Sequence, residues 1–240
     1  MEEGGIVFDI PMNSTGGLSL GELAGGGAAV QQQVPPQSVH QPVQTVQRPA
    51  GNGVILKKGQ KQNLAQAGRP LTTVRVGLGW DIMNQACDLD ASAFMLGAGG
   101  RVVGDDWFVF YGQTSSPDGS VVHSGDSAGE GTGDDEVITL DLAAMNPEVK
   151  KIVFVVTINE ALERNLNFSM VVNAYVRVTD AVTGNELVRF NLSDYYSNVT
   201  SMVVGEIYSH NGTWKFNAVG DGVARDLAGF CVMYGVNVAG

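Results

Sequence analysis

Apolar and polar residues alternate along much of the chain from Val54 onward. In residues 74–80, 138–142 and 188–192 every second side chain is apolar, which predicts strands with one buried face. Residues 152–158 form an unbroken apolar run rich in branched side chains, and such a run predicts a central strand that is covered on both faces. The pattern is therefore mainly that of β-structure.

Shorter patterns complete the prediction of a single, all-β-dominated domain. Residues 171–178 fit a segment that begins as a helix and ends as a strand. The remaining strands are predicted at residues 91–96, 107–111, 201–208 and 214–218, and short helices at residues 160–165 and 226–234. Many strands at short spacing, separated by Gly, Asn and Asp turns, predict a β-sandwich with a few short helices.

Residues 1–53 differ in composition from the rest of the chain. They hold five of the eight prolines, a run of three glycines at residues 25–27, and seven glutamines between Gln31 and Gln47. Such a segment buries too little apolar surface to offset the entropy lost on ordering. We therefore expect a flexible tail over residues 1–53, followed by a folded domain over residues 54–240.

One apolar patch interrupts the tail. Residues 5–11 read Gly-Ile-Val-Phe-Asp-Ile-Pro. The patch fits two interpretations: a stray apolar cluster, or a docking peptide that the Gln/Pro-rich linker tethers to the domain.

Composition argues against several classes of protein. The net charge of -11 disfavours a nucleic-acid partner, because binding a phosphate backbone needs a basic face. No run of twenty apolar residues is present, so we expect no transmembrane segment. Glu2 and Glu3 stand where a secretory signal would carry Lys or Arg, and the expected location is the cytoplasm. The two cysteines, Cys87 and Cys231, are too few for a disulfide scaffold or a four-thiolate metal site.

Nearly all of the excess negative charge lies in one window, residues 81–136. This window contains eleven Asp and Glu residues against Arg101 alone. A solvated acidic surface is one explanation of such a run. The acids are, however, interleaved with strand-like residues such as 107–111, so the fold must bring several of them together. Crowded carboxylates repel one another unless a cation lies between them.

The spacing of these acids favours a hard cation. Asp88 and Asp90 share a face of an extended chain, and glycines at every second position over residues 129–133 let the backbone turn so that oxygens face inward. Calcium takes six to eight oxygen ligands in flexible geometry, whereas zinc would require Cys or His, and His123 is the only imidazole nearby. Neither Asp88 nor Asp126 begins a loop with the EF-hand pattern. The sequence therefore indicates a calcium site of another kind.

Signs of catalysis are weak. Ser120, His123 and Asp126 have the residue types of a hydrolase triad, but no nucleophile elbow surrounds the serine and the spacing is that of a turn. Paired carboxylates also act as acid and base in glycosidases, yet a calcium cage would hold them ionised. The sequence also lacks the Gly-Lys-Ser/Thr pattern of a phosphate-binding loop. We therefore expect a protein that is not an enzyme.

The order of motifs along the domain closely resembles that of the TerD family of tellurite-resistance and stress proteins, over residues 54–238. The motifs that carry the resemblance are Val-Gly-Leu-Gly-Trp-Asp at 76–81, Asp-Leu-Asp-Ala-Ser at 88–92, Phe-Val-Phe-Tyr at 108–111, the acidic segment 116–136, the apolar run 151–158, and Gly-Glu-Ile-Tyr-Ser-His-Asn-Gly-Thr-Trp-Lys-Phe at 205–216. The resemblance implies a β-sandwich that binds calcium, usually two ions, through acidic loops and has no established catalytic activity.

Carried over position by position, the resemblance also implies a set of metal ligands. They are Asp81, Asp88, Asp90, Asp118, Asp126, Glu130, Asp134, Asp135 and Glu136. Two departures bear on this set. Gly112 and Gln113 stand where the family commonly has two Asn, and residues 125–129 read Gly-Asp-Ser-Ala-Gly where it has Gly-Asp-Asn-Arg-Thr-Gly. Because side-chain amide oxygens are lost, we expect one site to be weaker here, or to be completed by water or backbone carbonyls.

The sequence thus predicts a cytoplasmic, non-enzymatic, calcium-binding stress-response protein. Its Ca²⁺-ordered acidic loops would present a surface to protein partners, including membrane-associated stress complexes, or to a second copy of the chain. The alternative is a module that binds a cyclic nucleotide or another small ligand, with calcium bridging the ligand to the acids.

Overall fold

The computed structural model describes residues 53–65, 69–84, 86–125, 133–192 and 197–238. Along these residues the chain forms twelve β-strands. In chain order they are β1 (Val54–Leu56), β2 (Lys61–Asn63), β3 (Thr73–Ile82), β4 (Leu89–Leu96), β5 (Phe108–Val109), β6 (Val121–His123), β7 (Glu136–Asp141), β8 (Lys151–Ile158), β9 (Val171–Asp180), β10 (Glu186–Asn191), β11 (Ser201–His210) and β12 (Thr213–Val223). The predicted flexible tail lies outside the described residues apart from Gly53.

The strands form two six-stranded sheets with an apolar core between them. Sheet one has the order β1-β10-β9-β3-β7-β6, and sheet two has the order β2-β12-β11-β8-β4-β5. Neighbouring strands pair antiparallel, except that β1 and β10 are parallel. The first two strands thus lie at the edges of different sheets. The predicted β-sandwich is confirmed.

Alternation along the strands builds this core. Val76 and Leu78 of β3 and Phe154 and Val156 of β8 are buried in one cluster between the sheets. Each fully buried side chain of this size contributes about 1.5–3 kcal/mol relative to exposure. The burial of alternate residues explains why the two-residue period was readable in the sequence.

The C-terminal helix forms a partial third layer on sheet two, whereas two shorter helical segments contribute buried residues to the core between the sheets. The short helix α1 (Ala161–Arg164) and a 3₁₀ turn (Phe168–Met170) follow β8, and the helix α2 (Leu227–Tyr234) follows β12. The Asp226 side chain caps α2 by accepting a hydrogen bond from the Gly229 N–H. The rings of Phe230 and Tyr234 lie 6.5 and 4.8 Å from that of Phe94 on β4. A second apolar cluster therefore fills the space between α2 and sheet two.

Most element predictions are confirmed and two need correction. Strand β8 is central, between β4 and β11, and is buried from Ile152 to its end. The predicted helical start at residues 171–178 is wrong. The segment is strand from Val171, because it pairs with the end of β3, and the helical turn lies just upstream of it. Strand β5 is shorter than predicted, because Phe110 and Gln113 exchange backbone hydrogen bonds in a tight turn.

None of the helices in the described part of the chain has the length and apolar character needed to cross a bilayer.

The packing of α2 on sheet two yields a stability prediction. Replacing Phe230, which is fully buried, by Ala should lower the free energy of unfolding by about 3–5 kcal/mol. Val182, in the turn between β9 and β10, is exposed, so Val182→Ala should change it by less than about 0.5 kcal/mol. Urea unfolding of both variants checks this pair. Equal effects would contradict the placement of α2.

Candidate acidic site at one end of the sandwich

Several of the predicted ligands lie at one end of the sandwich. Strand β3 ends at Ile82, β4 begins at Leu89 and β7 begins at Glu136. A carboxylate oxygen of Glu136 lies 2.8 Å from the backbone nitrogen of Ala91, so the start of β7 is next to the start of β4. We call this region the acidic end. Its described carboxylates are Asp81, Asp88, Asp90, Asp134, Asp135 and Glu136.

Glu136 joins the two sheets from within the core. Its Oε2 accepts hydrogen bonds from the Ala91 N–H of sheet two and from His123 Nε2, 2.9 Å away on β6. His123 Nδ1 accepts from the Gly125 N–H at 2.9 Å, so Nε2 carries the ring hydrogen and donates it to Glu136. Both side chains are buried. The two hydrogen bonds to Glu136 Oε2 therefore link β7 to β4 and β6.

Asp134 forms a buried ion pair on the outer face of sheet one. Its carboxylate accepts from Arg177 Nε at 2.8 Å, from Arg177 Nη2 at 2.8 Å and from the Tyr175 hydroxyl at 2.7 Å. Gly77 is opposite Arg177 in the β3–β9 register. A Cβ atom at Gly77 would overlap the Asp134 carboxylate. The absence of a side chain at position 77 is therefore what lets the ion pair lie flat on the sheet.

The ion pair extends into a network of alternating charges. Burial by itself lowers the pKa of Arg177, but the hydrogen bonds and charge of Asp134, together with Tyr175 and Glu186, raise it overall. Glu186 also accepts from Arg189 at 2.9 Å, and the Arg189 guanidinium lies 4.2 Å from the centre of the Tyr175 ring. Two arginines thus balance two acids in a largely buried cluster.

Asp135 contacts a third strand. Its Oδ2 accepts a hydrogen bond from the Trp80 N–H at 2.7 Å, and its own N–H donates to the Leu78 carbonyl at 2.8 Å. Residues 134, 135 and 136 therefore attach in turn to β9, β3 and β4. The chain is fixed at three points immediately after the segment 126–132.

The other three acids of this end have exposed or half-buried side chains. Asp81 accepts from the Asn173 amide at 2.7 Å, and Asp88 lies 3.5 Å from the Asn159 amide. Asp90 borders a small cavity of about 80 Å³ under the start of α2. Tyr111 borders it too, and burial, followed by the charge of Asp90, raises the pKa of this tyrosine.

Asp118 is not brought to the acidic end. It lies beyond the opposite end of β7, where its Oδ2 accepts from the Asn146 N–H at 2.9 Å. Its Oδ1 accepts from the hydroxyls of Ser116 and Ser120 and from the Ser120 N–H. Burial acts to raise the pKa of Asp118, but these hydrogen bonds outweigh it and lower the pKa. The structure therefore gives Asp118 a turn-forming role at the opposite end of β7 from Glu136.

A hydrolase triad also finds no support in these contacts. The Ser120 hydroxyl donates to Asp118 and not to His123, and the His123 ring contacts Glu136. Gln113, which stands where the resemblance implied an amide ligand, donates instead to the carbonyls of Asp106 and Phe108.

The fit to a metal ion is partial. Asp126 and Glu130 lie outside the described residues. Among the residues that are described, no three His, Cys, Asp or Glu side chains lie close enough together to hold an ion. The chemistry of the donors, carboxylate and amide oxygens, suits a hard cation such as Ca²⁺. The described acids alone do not complete a site, and the ligand set stays a prediction.

The chain is similar to known proteins over most of its length. Residues 53–234 match the model of the TerD domain family. The chain is 46% identical over 190 residues to the tellurium resistance protein TerD of Serratia marcescens, covering 78% of this chain and 99% of that protein. It is 43% identical over 190 residues to general stress protein 16U of Bacillus subtilis, covering 77% and 98%. A solved structure of a TerD homologue from Streptomyces coelicolor A3(2) matches with a TM-score of 0.51 and 25% identity, over 66% of this chain and 94% of that one.

The flat packing of Asp134 on sheet one makes Gly77 a sensitive position. Gly77→Ala should lower the free energy of unfolding by about 1–3 kcal/mol, because the new methyl group displaces the buried carboxylate. Gly99 has open space around it, so Gly99→Ala should change stability by less than about 0.5 kcal/mol. Chemical denaturation measures the free energy of unfolding of the two variants. A Gly77→Ala protein as stable as the control contradicts the described contact.

The turn at Asp118 predicts a pH-dependent loss of stability. Its folded pKa is lowered below the unfolded value of about 3.9. The stabilisation is therefore present above that value and is lost as the pH falls through the folded pKa. Asp118→Asn should destabilise the protein at pH 7, because an amide nitrogen cannot accept from the Asn146 N–H, and should cost less at pH values near or below the folded pKa. Unfolding of wild type, Asp118→Asn and the exposed control Glu163→Gln at neutral and acid pH tests this. A pH-independent difference would count against it.

Proposed function

Because this chain belongs to the TerD family of tellurium-resistance and stress-response proteins, we propose that it is a non-enzymatic protein whose acidic end binds calcium. The ions would order the acidic segments into a surface for protein partners. The observation that carries the proposal is the convergence of carboxylates from separate parts of the chain at one end of the sandwich.

Gathering these carboxylates at one end of the sandwich costs electrostatic repulsion. The described carboxylates of the acidic end come from the end of β3, the start of β4 and the start of β7. Arg101, the single basic residue of the window 81–136, follows the opposite end of β4. Carboxylates gathered in this way repel one another, and a divalent cation relieves the repulsion. Calcium binding is the function that fits this arrangement best.

Not every acid is equally suited to hold an ion. Asp134 and Glu136 are already held by Arg177 and His123, and moving them would break buried contacts. We therefore assign the ions to the pairs Asp81 with Asp135 and Asp88 with Asp90. The first pair belongs to sheet one and the second to the start of sheet two, which suits two ions. Asp126 and Glu130 would complete the oxygen count.

Bound calcium would have a structural role: its positive charge would hold the carboxylates together, and it would take part in no reaction. An ion that binds the folded chain and hardly binds the unfolded one stabilises by mass action, by about 2.7 kcal/mol at a hundred times its dissociation constant. The ordered loops would then form the contact surface for a protein partner in the cytoplasm.

Calcium dependence of stability tests the proposal. Thermal unfolding in millimolar calcium should occur about 5–10 °C above that in EGTA, and titration calorimetry should show two ions per chain. Asp88→Asn with Asp90→Asn should remove one ion, and Asp81→Asn with Asp135→Asn the other. Asp118→Asn is the matched control, since it removes an acid of the same window and should leave both. An identical melt in EGTA and calcium would defeat the proposal.

A further inference from the structure

The outer face of α2 carries an open apolar groove. Its walls are formed by Arg225, Asp226, Ala228, Gly229, Val232 and Met233, around a volume of about 570 Å³. Val232 is 63% exposed and Met233 is 41% exposed. No residue of α2 is charged, so the helix is apolar on its outer face as well as on the face that packs against sheet two. A helix of this kind is typical of a face that is covered by another segment.

Arg225 shapes the groove at its first turn. Its aliphatic stem lies across Gly229, where a Cβ atom would overlap it. Its guanidinium lies 3.3 Å from the Gly229 carbonyl. The stem therefore forms an apolar wall with a positive charge at its rim.

The groove differs from the other exposed apolar positions among the described residues. Val54 and Ile55 are also exposed neighbours, but they are consecutive residues of a strand, so their side chains point to opposite faces of the sheet. Val232 and Met233 line the same groove. Val232 and Met233 therefore form a larger continuous apolar surface than Val54 and Ile55 do.

We propose that the apolar segment Ile6–Ile10 of the N-terminal tail docks into this groove, so that the domain carries its own covering peptide. The segment offers Ile6, Val7, Phe8 and Ile10 within five residues. It is preceded by two glutamates and contains Asp9. This inference does not depend on calcium binding.

The length of the tail permits this docking. Residues 11–52 separate the segment from the domain, and a flexible chain of about 42 residues has a root-mean-square span of roughly 35 Å. Gly53 lies beside Glu186 on sheet one, and two packing layers of about 10 Å each separate that sheet from α2. The tether therefore reaches the groove, and tethering places the segment at an effective concentration on the order of millimolar.

Charge selects this groove over the acidic end. Arg225 lies at the start of α2, and Arg101 lies against Gly235 at its end. Asp226 also lines the groove and caps α2, so with Arg225 and Arg101 the region has two positive charges against one negative, which favours binding of Glu2, Glu3 and Asp9 of the tail. The same residues are repelled by the carboxylates of the acidic end.

The methyl resonance of Met233 reports docking directly in the full chain. Ring currents from a docked Phe8 shift this resonance, so Phe8→Ser should move it. Met83 is also exposed, 56%, but it follows β3 and does not line the groove, so its resonance should not move. Leu20→Ser is the matched control, an apolar residue of the same tail outside the segment, and it should leave Met233 unchanged. Assignment of Met233 comes from the Met233→Leu variant.

The possible outcomes distinguish docking within one chain, no docking, and binding of a second copy. A shift at Met233 that Phe8→Ser abolishes, that Leu20→Ser preserves, and that is unaffected by dilution establishes docking within one chain. An unchanged Met233 resonance in Phe8→Ser overturns the proposal. A shift that disappears on dilution, together with a larger particle in sedimentation, assigns the groove to a second copy and also overturns it.

Discussion

Three consecutive carboxylates hold one end of this sandwich together. Asp134 pairs with Arg177 on the outer face of sheet one, Asp135 accepts from the backbone of β3, and Glu136 reaches through the core to the backbone of β4. Each is satisfied by a donor from a different strand. Removing one partner of a buried ion pair costs about 3–5 kcal/mol, because the other charge is left unpaired. The stretch 134–136 is therefore the constraint on which the position of the other acids depends.

This constraint separates two tasks that carboxylates perform in the same region. Carboxylates that are buried and paired, such as Asp134, fix the backbone. Exposed or half-buried ones, such as Asp88, face solvent beside them, where an ion can enter. A rigid backbone under the second group limits how far its oxygens can spread. In the proposed calcium site, repulsion among them would be relieved by a cation more readily than by movement of the chain.

The sequence predicted the strands better than it predicted the roles of the acids. Alternation and the run 152–158 are local, so β3 and β8 were readable. The partner of Asp134 is not local. Arg177 is brought to it by the register of β9 on β3, and the charge window showed only Arg101. The glycine at 77, opposite Arg177, was the one local trace of the contact. Asp118 has the residue type of a ligand, and only the neighbouring hydroxyls and the position of Asn146 reveal a turn.

The acidic end and the α2 groove differ in the charge that they present to the acidic tail. A chain of net charge -11 repels an acidic tail over most of its surface, and the repulsion is strongest where carboxylates are gathered. At physiological ionic strength such forces act over about 8 Å, which is shorter than the depth of two packed layers. Arg101, which follows the opposite end of β4 from the acidic end, therefore acts on a nearby peptide almost independently of that end, whereas Arg225 shares a cavity with Asp90. The proposed calcium site uses residues at the ends of β3, β4 and β7, whereas the proposed docking groove lies along α2, and the two approach each other at the cavity lined by Asp90 and Arg225.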